Sequence, residues 1–421
     1  MSQTSTSALP FTRYQILVVI ILAVTQFTVV LDFMIMSPLG DILMKSMHLI
    51  PSEFGLAVSA YAFSAGFSGF LTAGFSDRFD RKKLLLFFYI GFVIGTVLCG
   101  IAHTYLFLVA ARVFTGLFGG VIGSFSMAIV ADLFALQQRG RVLGFVQMAF
   151  GASQVLGIPI GLYIATNWGW EMPFLMVAAL GVVMAGIIGF YLKPINEHLR
   201  VKNEKSAFAH LWNTLARRDY QAGFAATALL SVGGFMMMPF GSAFAINNLQ
   251  VTEQQLPLLF MVAGLSTLVI MPVIGRLSDR IDKYKLFVVA SLWLMAMCIW
   301  YTNLSVVSLW VAIVLNVLLM AGVTSRMIPS SALTSAVPEL KDRGAFMSIN
   351  ASLQQVAGGI AAALAGKIVV QQTNFSPLEH YDTVGYVVVA FSILGLLFMY
   401  RVDRLVKRGS SSTPYVSTTA R

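Results

Sequence analysis

The chain has 421 residues, of which 57% are hydrophobic and only 11% are charged, and its net charge is +10. Soluble domains carry about 25% charged residues, so this composition excludes an ordinary soluble protein. The apolar residues lie in twelve runs, each long enough to cross a hydrocarbon core of about 30 Å as a helix. The predicted spans cover residues 14–37, 53–75, 84–102, 106–130, 142–166, 172–192, 221–246, 256–275, 286–303, 307–328, 345–369 and 381–400.

The basic residues follow the alternation of loops between these spans. Of the 28 lysines and arginines, all but Lys45, Arg112, Arg326 and Lys367 precede span 1, lie in every second loop, or follow span 12. By the positive-inside rule this asymmetry places both termini in the cytoplasm. The positive charge therefore indicates topology rather than nucleic-acid binding. The expected location is a plasma membrane, and specifically the inner membrane of a bacterium.

The start of the chain does not resemble a cleavable signal peptide. Residues 1–12 are polar, and span 1 is longer than the apolar core of a signal peptide, so it is predicted to be an uncleaved anchor. The two cysteines, Cys99 and Cys298, lie inside spans 3 and 9. That position argues against a disulfide framework, and nothing in the sequence indicates a metal site.

Span 1 carries the strongest candidate for a functional charge, Asp32. A charge inside a bilayer costs roughly 2.5–3.5 kcal/mol on insertion scales, so it is a candidate functional residue by default. A carboxyl group in a poorly hydrated cavity can exchange a proton near neutral pH, whereas the plainer alternative is a structural hydrogen-bonding carboxylate. Four further residues of the span are predicted to line a substrate cavity with it: Thr25, Gln26, Thr28 and Met36.

The loop after span 2 contains an acidic residue followed by basic residues: Asp77, Arg78 and Arg81. Asp132, at the inner end of span 4, is expected to lie nearby. An acid–base cluster at helix ends can lock one conformation and open in another, so these residues are predicted to form a conformational latch. Anchoring by the positive-inside rule is the alternative, but it needs no acidic residue.

Span 4 supplies the natural partner for Asp32. At about 1.5 Å per residue, Asp32 lies about 9 Å below the outer end of span 1, and Arg112 lies about 9 Å below the outer end of span 4. A guanidinium beside Asp32 would stabilise the carboxylate, and separation of the pair would favour the protonated acid. Either a coupling role or a static ion pair between the two spans fits the sequence.

Span 5 contains a proline between two glycines, Gly157, Pro159 and Gly161. Such a segment kinks a helix, and its glycines let a neighbouring helix approach closely. This favours either a packing bend or a seal against span 8. Gln154, just before the first of these glycines, is predicted to line the cavity.

A basic linker, residues 193–220, divides the chain into two halves of six spans, residues 1–192 and 221–408. An amphipathic helix is predicted in the linker over Ala207–Leu215. The tail, residues 409–421, is rich in Ser and Thr and is predicted to be disordered. The chain has no Gly-rich phosphate loop after a strand, so ATP hydrolysis is not expected, and uphill transport would need an ion or solute gradient.

Polar residues are sparser in the second half. Span 7 carries Met237 and Phe240, and span 11 carries Asn350 and Gln354 one turn apart; all four are predicted to line the cavity, although a Met-rich run alone is more typical of a core. Arg326 lies about 28 Å from the outer end of span 10 by helix rise. It is therefore interpreted as a side chain that snorkels to the cytoplasmic interface.

The acid–base loop occurs a second time, nearly half a chain length after the first. Asp279 and Arg280 again stand between two apolar spans and are assigned to the same latch. A charged loop repeated once in each half indicates a duplicated membrane domain. Internal repeats of this kind are common in secondary transporters, in which the substrate site lies between the halves.

These loops resemble the signature loop of the major facilitator superfamily, Gly-x-x-x-Asp-Arg-x-Gly-Arg-Arg/Lys. In the first copy Ala73 and Asp80 stand where the glycines are expected; in the second, Gly275 is kept and Asp282 replaces the later glycine. The resemblance extends over nearly the whole chain. It implies an all-α integral membrane protein with twelve transmembrane helices in two pseudo-symmetric six-helix bundles.

Three further segments resemble motifs of the twelve-span drug:proton antiporters within that superfamily. Leu31, Asp32 and Pro38 resemble their span 1 motif, and Arg112 with Gly116 resembles their span 4 motif. The Gly-Ile-Pro-Ile-Gly segment of span 5 is similar to the antiporter motif Gly-Pro-x-x-Gly-Gly, with one extra residue between Gly and Pro. The resemblance implies proton coupling by the aspartate and arginine, and a latch that includes the acid–base loop.

The sequence favours a proton-driven exporter of a small amphipathic compound that works by alternating access between two bundles. The alternatives are a proton-coupled uptake symporter for a small metabolite, and a membrane receptor or scaffold without transport. Buried charges argue against the scaffold, since they cost stability without a task.

An enzyme is not expected, because the spans contain no metal cluster or nucleophile–base set. The expected partners are protons, a small-molecule substrate and lipid; the chain is expected to be a monomer without a cofactor.

Overall fold

The computed structural model describes residues 11–72, 74–75, 78–196, 199, 207–339 and 341–411. Within these ranges the protein is almost entirely helical, with one antiparallel bridge between Val370 and Glu379. The helices of the first half are α1 Arg13–Ile35, α2 Gly40–Met47, α3 Pro51–Thr72, α4 Arg81–Gly100, α5 Tyr105–Gly119, α6 Ile122–Leu133, α7 Leu136–Ala152, α8 Ile158–Trp168 and α9 Met172–Tyr191.

The rest of the described chain continues with eight more helices and two short turns of 3-10 helix. The helices are α10 Ala207–Ala216, α11 Arg218–Phe235, α12 Gly241–Asn247, α13 Leu256–Arg280, α14 Lys283–Thr302, α15 Leu309–Ser335, α16 Arg343–Ile368 and α17 Tyr381–Ser411.

The predicted membrane spans are present as helices. In the described part of the chain, eleven helical stretches are long and apolar enough to cross a membrane, and each coincides with a predicted span. The remaining span, number 11, is the single helix α16. Polar residues such as Gln354 and Gln355 make it less apolar than the others. The predicted all-helical membrane architecture is therefore confirmed.

Three predicted spans are broken rather than continuous. α5 gives way to α6 at Gly120, where a Cβ atom would lie 2.5 Å from the Cα of Ala65 on α3. One turn of π-helix, Ser153–Gly157, separates α7 from α8, because Pro159 has no N–H to donate to the preceding turn. A turn of 3-10 helix that contains a proline, Met238–Phe240, separates α11 from α12.

The region between the halves contains the predicted helix. α10 spans Ala207–Ala216, and its Leu211 packs with Phe346 of α16 in a small core cluster. At the end of the chain, α17 continues to Ser411, so the first residues of the tail that was predicted to be disordered are helical. Residues 412–421 lie outside the described ranges.

The two halves meet along two pairs of helical segments, α3 with α16 and the π-helical break of span 5 with α13. A Cβ atom at Gly55 of α3 would lie 2.7 Å from the carbonyl oxygen of Ala362 on α16. A Cβ atom at Gly264 of α13 would lie 3.0 Å from the backbone of Gln154. Small residues at these positions allow the backbones of the two halves to approach closely.

The side of the molecule that carries the start of α1 and the end of α17 is called the terminal face, and the other side the opposite face. At the opposite face the halves are joined by hydrogen bonds. Asn247 Nδ2 donates to Asp41 Oδ1 at 2.6 Å, and Ser242 Oγ donates to the carbonyl oxygen of Ser37 at 2.9 Å. Lys45 Nζ also lies 3.4 Å from Glu253 Oε1 of the second half. The two halves are therefore in contact at the opposite face.

Candidate functional site

Asp32 and Arg112 form an ion pair in the interior of the first half. Arg112 Nη1 donates to Asp32 Oδ2 at 3.0 Å, and Thr96 Oγ1 of α4 donates to Asp32 Oδ1 at 3.1 Å. Both charged side chains have an exposed fraction of 0%. The pairing that was predicted from their matching depths is therefore present, while its role in coupling stays a prediction.

The surroundings of Arg112 leave part of its hydrogen-bonding capacity unused. The guanidinium lies over the ring of Tyr61, 4.5 Å from the ring centroid, in a cation–π contact. Its Nε and Nη2 atoms are buried and have no hydrogen-bond partner among the described residues. Breaking a buried ion pair by removing one partner typically costs about 3–5 kcal/mol, because a charge is left uncompensated. A proton on Asp32 would likewise leave the charge of Arg112 uncompensated.

The polar face of α1 turns into the first half and away from the space between the halves. Thr28 Oγ1 donates to the carbonyl oxygen of Thr25 at 2.8 Å and lies 2.9 Å from the hydroxyl of Tyr89 on α4. Met36 is fully buried in the core, and Gln26 faces α6. The prediction that these four residues of span 1 line a cavity is wrong. None of the four is among the described residues that line the cavity between the halves; Thr28 meets α4 and Gln26 meets α6 instead.

A cavity of about 380 Å³ lies between the two halves. It reaches from Pro38, near the closed opposite face, to Thr334 at the terminal-face end of α15. Most of its wall comes from the second half. Four of the predicted cavity residues line it, Gln154, Met237, Asn350 and Gln354. Phe240 does not: it is fully buried, with its ring centroid 5.9 Å from that of Phe54, because the turn of 3-10 helix directs it into the core.

Among the described residues that line this cavity, Arg326 is the one with a charged side chain. It is only 3% exposed, and its Nη1 and Nη2 donate to Ser392 Oγ at 3.2 Å and to the carbonyl oxygen of Leu230 at 3.4 Å. Within the described ranges, no carboxylate forms an ion pair with it.

The interpretation of Arg326 as a snorkelling residue is wrong. The sequence prediction ended span 10 at residue 328, but α15 continues to Ser335. Arg326 therefore lies about two and a half helical turns before the end of its helix, too deep to reach the interface. The polar residues after residue 328 belong to this helix, and three of them, Ser330, Ser331 and Thr334, line the cavity.

Two residues of the predicted latch meet at the terminal face of the first half, while their role as a latch stays a prediction. Arg81 Nε lies 3.1 Å from Asp132 Oδ2, so the loop after span 2 and the end of span 4 are brought together as expected. Arg78 is exposed. Asp77 lies outside the described residues.

The second copy of the loop is arranged differently. Asp279 and Arg280 are exposed at the end of α13, and no ion pair links them to another residue of the described ranges. The aspartates that replace the later glycine of the signature loop cap helices: Asp80 Oδ1 accepts from Lys82 N at 2.8 Å, and Asp282 Oδ1 accepts from Lys285 N at 3.0 Å. The backbone bond from Lys285, with a second bond from the Lys407 ammonium, lowers the pKa of Asp282.

The predicted kink in span 5 is present as the π-helical turn. Its glycines contact span 1 rather than span 8. A Cβ atom at Gly157 would lie 2.6 Å from Leu31 Cδ1, and one at Gly161 would lie 2.6 Å from Ile35 Cδ1. Span 8 instead meets Gln154 within the turn. The segment around Pro159 therefore contacts both α1 and the second half, through α13.

Known proteins resemble this chain in sequence and in fold. The family model described as Major Facilitator Superfamily matches residues 22–247 and again residues 223–416. The uncharacterized MFS-type transporter YceJ of Bacillus subtilis is 24% identical over 262 residues, which are 62% of this chain and 66% of that protein. Multidrug resistance protein 2 of Bacillus subtilis is 25% identical over 281 residues, 63% of this chain and 68% of that protein.

Among solved structures, a bacterial homologue of the human lysosomal transporter Spinster, in an inward-facing and unoccupied conformation, has a similar fold. Its TM-score is 0.75 at 16% sequence identity, over 95% of this chain and 99% of that chain. At this identity the likeness concerns the fold alone. The aligned region spans just under two thirds of YceJ, so the activity of a whole relative is not transferred directly.

Proposed function

The chain belongs to the Major Facilitator Superfamily, and from that premise we propose that it is a proton-coupled antiporter that exports a small amphipathic compound by alternating access. As a member of this family it is a multi-pass membrane transporter and not an enzyme. One observation carries the proposal: Asp32 and Arg112 form a fully buried ion pair inside a membrane-spanning bundle. Such a pair is costly to maintain, which favours a functional role.

α1 connects the ion pair to the cavity. Asp32 points towards Arg112 in the first half, whereas the next two residues, Phe33 and Met34, line the cavity. A shift of α1 when a compound enters the cavity therefore moves the carboxylate relative to the guanidinium. Separation of the pair favours uptake of a proton by Asp32, and re-formation of the pair favours its release. Proton exchange is in this way coupled to cavity occupancy.

The ion pair of Arg81 and Asp132 is proposed to act as a latch at the terminal face. Asp77, Arg78, Asp279 and Arg280 belong to the same proposal through the repeated loop. We assign the terminal face to the cytoplasm of a bacterial cell, because the basic residues concentrate there. With the opposite face closed and the cavity reaching towards the terminal face, this assignment makes the conformation inward-facing.

The proposed partners are protons, a small-molecule cargo and the lipid bilayer, with the proton gradient as the only energy source. The walls of the cavity, which include Phe33, Phe235, Met238 and Met320, favour a cargo with an apolar body. The name of the related multidrug resistance protein supports export over uptake. The chain is proposed to act as a monomer.

The test is transport by purified protein in proteoliposomes with an imposed pH gradient, across a panel of amphipathic compounds. Wild type is expected to drive at least one compound uphill and to collapse the gradient as it does so. Asp32→Asn is expected to lose this uphill movement by at least about tenfold, since an amide cannot exchange a proton. Exchange of cargo down its own gradient is expected to persist.

Asp219→Asn is the matched control, because Asp219 is a carboxylate whose side chain is 71% exposed and which lies outside the buried pair. It should retain gradient-driven transport. Full proton-driven transport by Asp32→Asn would show that the coupling site lies elsewhere. Movement of protons and cargo in the same direction would replace antiport by symport.

A further inference from the structure

Among the residues that the structure describes, the wall of the cavity between the halves contains one charged residue, Arg326. Its two hydrogen bonds go to uncharged acceptors, Ser392 Oγ and the carbonyl oxygen of Leu230, so no described residue of the wall balances its charge. A guanidinium carries more N–H donors than these two acceptors can use. A buried charge is normally paired, so this arrangement leaves a place for an anion.

Two adjacent glycines of α11 lie beside the guanidinium. A Cβ atom at Gly233 would lie 3.7 Å from Arg326 Nη2, and one at Gly234 would lie 3.6 Å from the same atom. Both glycines also line the cavity. A side chain at either position would contact the guanidinium, so the glycines leave this side of the charge free of side-chain atoms.

We propose that Arg326 binds the anionic group of the cargo, and that the cargo is an amphipathic monocarboxylate. This proposal deepens the function proposed above and rests on it, because a ligand of this cavity is a cargo only if the protein transports it. Arginine binds a carboxylate through two parallel N–H···O bonds. A single cation fits one negative charge, and the methionine and phenylalanine side chains around it fit an apolar body. The cavity volume of about 380 Å³ lies within the range of small-molecule sites.

This assignment also explains the different surroundings of the two buried arginines. Arg112 has its own carboxylate and does not line the cavity. Arg326 has none in the described ranges and lines it. A purely structural role for Arg326, tying α15 to α11 and α17, would need only its two hydrogen bonds. Ligand binding separates the two possibilities, since a structural arginine would not distinguish a charged ligand from a neutral one.

The experiment measures binding to the purified full-length protein in non-ionic detergent at neutral pH, without a proton gradient. The probes are matched aryl- and alkyl-carboxylates and their primary amides, with 4-phenylbutyrate and 4-phenylbutyramide as the reference pair. For wild type, at least one carboxylate is expected to bind about tenfold or more tightly than its amide. Arg326→Gln should abolish this preference, and Arg326→Lys should retain part of it.

Two controls keep the result specific to this site. Arg343→Gln removes an exposed arginine at the start of α16 and should leave the preference unchanged. Gly234→Ala, which places a methyl group beside the guanidinium, should lower carboxylate affinity severalfold, whereas Gly186→Ala, where a Cβ atom meets no neighbour within 4 Å, should not. Size-exclusion profiles confirm that each variant is folded.

The proposal is overturned if no carboxylate binds wild type better than its amide, or if folded Arg326→Gln keeps the preference. Its failure is distinguishable from failure of the transport proposal. Proton-driven export of neutral or cationic compounds without a carboxylate preference would refute only the anion site. A carboxylate preference that depends on Arg326, in a protein without proton-coupled transport, would refute only the antiport mechanism.

Discussion

The two halves of this transporter each bury an arginine in their fourth helical span, and they treat it differently. In the first half, Arg112 pairs with Asp32, and neither side chain is accessible to solvent. In the second half, Arg326 lines the cavity, and within the described part of the chain it donates to a hydroxyl and a carbonyl oxygen. The duplicated architecture therefore does not duplicate the chemistry: one half holds an internally compensated charge, and the other presents a charge to the cavity.

The packing is tight around Arg112 and looser around Arg326. Beside Arg112, a Cβ atom at Gly116 would lie 2.4 Å from the carbonyl oxygen of Tyr61 on α3. Beside Arg326, a Cβ atom at Gly234 would be in ordinary van der Waals contact, at 3.6 Å. The first half is close-packed around its charge, whereas the second half leaves room next to it. This contrast suits a division of labour between proton exchange and cargo binding.

The largest expected difference between the halves is in stability. Arg112→Met leaves the Asp32 carboxylate buried without a partner, so it should lower the free energy of unfolding by about 3–5 kcal/mol. Arg326→Met removes a cation that no described carboxylate compensates, so its free energy of unfolding should be within about 1 kcal/mol of the wild-type value or above it. Thermal unfolding of the purified variants in detergent measures both, under identical conditions.

The double variant Asp32→Asn/Arg112→Met is the control for that prediction. It removes both charges, so it should recover part of the stability that Arg112→Met alone loses. If Arg326→Met is as unstable as Arg112→Met, the second arginine has a buried partner in the folded protein, and the comparison between the halves fails.

A smaller difference is expected from single methyl groups. Gly116→Ala should destabilise the first half by about 1–3 kcal/mol, because the new methyl group overlaps the backbone of α3 and the helices must move apart. Gly234→Ala should cost less than about 1 kcal/mol, since its methyl group meets only Nη2 of Arg326 at 3.6 Å. Unfolding temperatures of the two variants, measured side by side, test the contrast. Equal losses would mean that the second half is as tightly packed as the first.

The hydrogen bonds to the two charges provide a finer comparison. Thr96→Val removes the donor to Asp32 Oδ1 without much change in shape, and it should cost about 1–2 kcal/mol because a buried carboxylate oxygen loses its partner. Ser392→Ala removes an acceptor from Arg326, which borders a cavity, and should cost less than about 1 kcal/mol. Chemical denaturation in mixed micelles resolves differences of this size. A larger loss for Ser392→Ala would reverse the proposed contrast.

The smallest effect is expected at the terminal face of the second half. The Arg217 guanidinium and then the Lys341 ammonium lower the pKa of Glu339 to about 2. A carboxyl group with a depressed pKa adds stability above its unfolded value, near 4.5, and loses it as pH falls from there towards about 2. Glu339→Gln should therefore lower the unfolding temperature slightly at pH 6 and hardly at all near pH 2.

That small effect is measured as the difference between the unfolding temperatures of wild type and Glu339→Gln along a pH series. Because Glu339 is exposed, the difference should also shrink as salt concentration rises. A difference that stays constant from pH 6 to pH 2 would mean that the ion pair with Arg217 makes no pH-dependent contribution to stability.

Part of the site could be predicted from sequence because the physical rule behind it is local. A charge inside an apolar run is costly wherever it lies, so Asp32 and Arg112 stand out without any structure. Their depths follow from the rise of a helix, which is why their pairing could be predicted. The kink near Pro159 follows equally from the missing N–H of proline. The prediction that the polar face of α1 lines the cavity failed because it depends on which helices pack beside α1. Thr28 and Asp32 meet Tyr89 and Thr96 of α4, and the periodicity of a sequence does not indicate which helix lies beside another.

The sequence by itself determined the membrane-spanning helices, the repeated halves and the pair of Asp32 with Arg112, since hydropathy, duplication and helix rise are properties of the chain alone. Only the tertiary structure decided that Thr25 and Thr28 turn away from the cavity, and that Arg326 lines it. Helix ends and helix faces are set by packing: α15 continues through a polar run because those side chains border a cavity rather than lipid. Which polar group meets which partner is therefore a property of the assembled bundle.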